Sequence, residues 1–146
     1  MSLNDWERAG WLTAHKSSPE EIRDLLDASR RDSADSAADS LSADWKMNIA
    51  CNAALLAATA ALAAAGFRAT RDQHHYRVIQ SLRETIGAEV ALVSAFDSFR
   101  KKRNVTGYVR AGTVSDADAL AMRDMATRLR EEVARWLRKT HPELLK

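Results

Sequence analysis

The sequence predicts an all-α protein, an up-and-down bundle of five or six helices around a central Ala-rich helix. Three observations carry that expectation. The stretch Trp45 to Gly66 is Ala-rich and uncharged after Lys46, and Ala has the highest intrinsic helix propensity. Several other segments space their apolar residues at helical intervals, while no run alternates with period two over a useful length. Only two prolines and five glycines interrupt 146 residues, which leaves room for long helices.

In order along the chain, residues 3–16 read as a short first helix carrying Trp6, Trp11 and Leu12, with few apolar residues to fasten it. Residues 1–17 are therefore expected to be peripheral to a single domain spanning 1–146. Ser18-Pro19-Glu20-Glu21 is a strong helix start: Ser18 can cap, Pro19 suits the first helical position, and Glu21 can complete a capping box. The second helix places Ile22, Leu25, Leu26 and Ser29 on one face. Its later part, ASRRDSADSAADS, holds helical spacing through Ala and Ser alone and is expected to fray.

Leu41-Ser42-Ala43-Asp44 leads into the central helix, whose larger residues are Trp45, Ile49 and Leu56 on one face and Leu55 and Leu62 on another. A helix apolar nearly all round belongs inside a bundle. Gly66 fits the position after its end, where a left-handed turn favours Gly. A polar loop, FRATRDQ, follows, with Phe67 turned inward. A fourth helix from His74 to Ile86 aligns Val78, Ile79, Leu82 and Ile86, and a fifth from Ala88 to about Arg103 aligns Val90, Val93, Phe96 and Phe99. Ser115 with Asp118 opens the last helix, with Met122, Met125, Leu129, Val133 and Trp136 inward, and Pro142 ends it.

A chain of this length makes one domain with a real core. The formal charge of +2 is too small to imply a nucleic-acid partner by itself. Cys51 is the single cysteine, so no intrachain disulfide forms, which fits a reducing compartment. Ile49 to Ala65 is uncharged but weakly apolar and at the lower limit for a membrane span. A cytoplasmic location with no membrane segment is expected.

Charge is clustered. Glu20 to Asp44 holds eight acids against three arginines, whereas Arg100, Lys101, Lys102, Arg103 and Arg110 have no acid among them. Cations at the end of a helix complement its macrodipole. A phosphate-binding site is the sharper reading, because Arg68, Arg71 and Arg77 lie close in sequence to His74, His75 and Tyr76. Basic groups beside aromatic and imidazole rings suit a nucleotide or single-stranded RNA. His74 and His75 point about 100° apart on a helix, so they are poorly placed to share a metal. His15 and His141 stand alone. No metal or cofactor is expected. One of the adjacent histidines can cap or pack, and the other can titrate beside the arginines as an acid or base.

These features together resemble the HEPN superfamily (higher eukaryote and prokaryote nucleotide-binding domains), over roughly residues 20–138. The resemblance rests on the Ala-rich helix ending in Ala60 to Phe67, on Asp72-Gln73-His74-His75 opening the next helix, and on the basic helix end running from Arg100 to Tyr108. It implies a helical bundle that usually dimerises. Active relatives are metal-independent ribonucleases, often toxins paired with a nucleotidyltransferase-like antitoxin. Their motif is an Arg, commonly followed by Asn, with a His a few residues further on. Arg103-Asn104 matches its first part, but Tyr108, Val109 and Arg110 occupy the positions where the His should fall.

The expected function is therefore binding of RNA or a nucleotide by a homodimer, without efficient catalysis, in a toxin–antitoxin type of system. Arg100, Lys101, Arg103, Asn104, Tyr108, Arg68, Arg71 and Arg77 are the candidate binding residues. Two alternatives stand beside it. One is an active endoribonuclease toxin that uses Arg103, Asn104, Tyr108 and His74 or His75. The other is a protein-interaction module working through its helical surface.

Overall fold

The computed structural model describes residues 2–106 and 114–145, with the side chains of 103–106 outside that description. Its elements run α1 (Leu3–Arg8), β1 (Leu12–Ala14), α2 (Pro19–Asp35), α3 (Ala43–Ala64), β2 (Phe67–Ala69), α4 (His74–Thr85), α5 (Val90–Thr106) and α6 (Asp116–Thr140), closed by a 3-10 turn, Pro142–Leu145. The architecture is the expected helical bundle. Helix α3 lies at its centre, packed most extensively on α6 and α2, then on α4 and α5.

Alanine explains that position. Ala50, Ala53, Ala54, Ala57, Ala58, Ala60 and Ala61 are all fully buried, and they face several directions around the helix. Small side chains on every side let four neighbouring helices pack around one axis. Of the larger residues, Leu55 and Leu62 are buried as expected, but the other face contributes less than the sequence suggests. Trp45 is 61% exposed at the helix start, and Ile49 and Leu56 are only half-buried. By length and composition α3 could cross a bilayer, but most of its apolar window is buried inside the protein. Gly66, at φ +98°, adopts the left-handed turn expected after it.

Serine starts four helices. Ser2, Ser18, Ser42 and Ser115 each accept a hydrogen bond from the backbone N–H three residues on. At α2 the reciprocal half of the expected capping box is not made: the Glu21 carboxylate engages His15 instead. Helix α2 also continues to Asp35, through the first part of the Ala/Ser segment expected to fray, and ends there with Ser36 as its C-cap. Ser29 donates to the Ala53 carbonyl at 2.7 Å, and Arg130 of α6 donates to the hydroxyls of Ser29 and Ser33. Polar contacts to α3 and α6 hold what apolar packing alone would not.

The N-terminal segment differs most from expectation. Its helix ends at Arg8, and Leu12–Ala14 pairs antiparallel with Phe67–Ala69, Thr13 lying opposite Arg68. Trp6 (8% exposed) and Leu12 (1%) join the core, so the described part of the segment expected as a peripheral helix, residues 2–17, is instead a short helix and a strand anchored in the bundle. Three residues per strand are too few to show an alternating pattern in sequence. In α5 the buried stripe is Leu92, Val93 and Phe96, while Val90 is exposed. In α6 it is Met122, Ala126, Leu129, Val133 and Leu137, with Met125 and Trp136 half-buried.

Candidate anion-binding pocket

Helix α4 begins differently from the serine-capped helices. Its N-cap is Gln73, held at φ +50° and ψ +39°, and no side chain bonds to the helix end. Left-handed backbone is uncommon for a residue with a side chain. A helix N-terminus carries partial positive charge and directs its amides outward, which favours an anion.

Around this end the chain gathers a pocket of about 350 Å³ lined by Arg71, Gln73, His74, His75, Tyr76 and Arg100. Residues from the β2–α4 connection and α4 thus meet a basic residue from α5 across nearly thirty positions of sequence. Arg71 makes no ion pair among the described residues. The His74 Nδ1 lies 3.2 Å from the Ala69 carbonyl oxygen and 3.3 Å from that of Thr70. A neutral imidazole there must carry its proton on Nδ1 to donate to these carbonyls. Its Nε2 is then the basic nitrogen. The rings of His74 and His75 meet edge to face, 5.6 Å apart.

Arg100 comes to the pocket already engaged. Its Nε donates to the Asp97 carboxylate at 2.8 Å, and the two side chains are 17% and 11% exposed. Lys101 approaches the other Asp97 oxygen at 3.4 Å, and Lys102 pairs with Asp118 at the start of α6. Asp118 is held below the usual carboxylate range, first by the hydrogen bond from Lys102 and then by the Ser115 backbone. The basic run at the end of α5 therefore presents less free charge than its sequence implies. Asp97, and the second role of the capping residue Asp118 as partner of Lys102, were not evident in the sequence. Asp97 sits one helical turn before Arg100, and that i,i+3 spacing was the available signal.

The remaining candidates divide. Arg77 is not in the pocket: its guanidinium stacks 3.7 Å from the Trp11 ring centroid and 5.5 Å from that of Tyr76. Arg68 lines a different cavity. Arg103 and Asn104 lie on α5, but their side chains, with all of Tyr108 and Arg110, fall outside the described residues. His15 does not stand alone, since its Nε2 sits between the two oxygens of Glu21, 3.0 and 2.8 Å away. Among the described residues no group of three or more His, Cys, Asp or Glu side chains is placed to hold a metal. Comparison with family models, curated proteins and solved structures gave no match.

Proposed function

We propose that the protein binds RNA or a nucleotide by its phosphate, in the pocket between the start of α4 and the end of α5. We read it as a HEPN-like homodimer that does not cleave efficiently, as in a toxin–antitoxin type of system. One observation carries this reading: Arg71, His74, His75, Tyr76 and Arg100 converge on one polar pocket at a helix end that no side chain caps. Guanidinium groups, imidazoles and an aromatic ring suit phosphate and a stacked base.

The test is fluorescence anisotropy with a short labelled oligouridylate, titrated at several salt concentrations. Each phosphate contact on a single strand contributes a slope of about −0.7 in log K against log salt. Arg71→Glu should weaken binding at least tenfold and flatten the slope by about that increment. Unchanged affinity in Arg71→Glu would remove the proposal.

The catalytic alternative draws support from His74 alone. A neutral imidazole with its Nδ1 proton fixed offers Nε2 as a base for a ribose 2′-hydroxyl. That reading predicts growth arrest when the protein is expressed by itself, relieved by His74→Ala. Absence of both arrest and RNA cleavage leaves binding alone.

A further inference from the structure

His74 also lines a second cavity, of about 260 Å³, which shares no other residue with the basic pocket. Leu25 of α2, Leu62 of α3 and Val78 of α4 give it an apolar floor. Its polar groups are His15, Glu21, Thr59, Arg68 and the shared His74.

Most of those groups are already engaged. The Glu21 carboxylate holds His15, and the Thr59 hydroxyl donates to the Leu55 carbonyl at 2.7 Å. His74 directs Nδ1 to backbone carbonyls. Arg68 differs. It is exposed at the cavity and makes no ion pair among the described residues. The cavity thus combines an uncompensated guanidinium with an apolar floor, while its own carboxylate is occupied. It is smaller than the roughly 300–1,000 Å³ typical of sites for drug-sized ligands.

We propose that this cavity binds a small monocarboxylic acid with a compact apolar body. The carboxylate pairs with Arg68, whose planar fork matches it, and the body rests on Leu25, Leu62 and Val78. A phosphate fits poorly, because Arg68 alone would face its several charged oxygens and the apolar lining offers the others no donor. A neutral ring of the same shape would leave Arg68 without a counter-charge. This inference is independent of the RNA reading, because its cation is Arg68 rather than Arg71.

The probe is benzoate, followed by saturation-transfer NMR on the full chain, with benzamide as its neutral counterpart. A ligand this small should bind with a Kd of about 1 mM, and benzamide about tenfold more weakly. Arg68→Gln, at an exposed position, should reduce benzoate affinity about tenfold. Ala63→Leu, which fills the cavity, should abolish it, with circular dichroism confirming the fold. Arg71→Glu should leave it unchanged. The proposal is overturned by absence of saturable benzoate binding, equal affinity for benzamide, or insensitivity to Arg68→Gln. Displacement of benzoate by inorganic phosphate, or its loss in Arg71→Glu, would also overturn it by moving the acid to the other pocket.

Discussion

Replacing Arg100 with Ala tests whether the basic end of α5 is neutralised from within. Asp97 is 8% exposed as a residue, and its carboxylate meets Arg100 at 2.8 Å. Removing one partner of a buried ion pair costs about 3–5 kcal/mol, because the other charge stays buried and uncompensated. Here Lys101 remains 3.4 Å from the second carboxylate oxygen, but its side chain is 68% exposed and solvent screens it. The expected loss for Arg100→Ala is therefore about 2 kcal/mol, below that range. Asp97→Asn with Arg100→Ala removes both charges and should recover at least half of it. Urea unfolding of the four members of this cycle gives the coupling directly. Asp97→Asn alone should also raise oligouridylate affinity several-fold, since it releases Arg100 toward the pocket. An Arg100→Ala protein within about 0.5 kcal/mol of wild type, or a double variant with strictly additive losses, would refute the reasoning.

Other perturbations follow from the same contacts. Ala57 is fully buried in α3, so Ala57→Leu should overpack the helix junction by about 1–3 kcal/mol, seen as a lower urea midpoint. Ser33→Ala removes the 2.8 Å hydrogen bond from Arg130 and should cost about 1 kcal/mol by the same assay. Asp118 has a depressed folded-state pKa, so its contribution is present above the ordinary carboxylate range and is lost as pH falls through the lower folded value. Asp118→Asn should remove that part of the acid dependence, read as a flatter urea midpoint on titrating downward from pH about 5.

The helices were legible because their signals are local. Serine caps, the Ala-rich run and the Val78, Ile79 and Leu82 spacing each declare themselves within one or two turns. The strand pair was not legible, because Leu12 and Ala69 choose each other across more than fifty residues, with three residues apiece. The convergence of Arg71 with His74, His75 and Tyr76 was visible as sequence proximity. That Arg100 completes the pocket depends on how α5 crosses α4, which no local pattern records. His15 was misjudged for a similar reason. Glu21 had an adequate local role as a capping carboxylate, and only the fold brings a better partner to it. The diversion of Arg77 onto Trp11 has the same origin, because it requires the strand pair to be in place.

The short strand pair has a practical consequence for anyone trimming or tagging this chain. A version starting at Lys16 would lose Leu12 and Trp6 from the interior, the indole beneath Arg77, the pairing partner of β2 and the imidazole that holds Glu21. Added residues at the amino end are a different matter, since Ser2 faces solvent. Fusions should be tolerated there, whereas truncation by little more than a dozen residues would remove His15 from the lining of the smaller cavity.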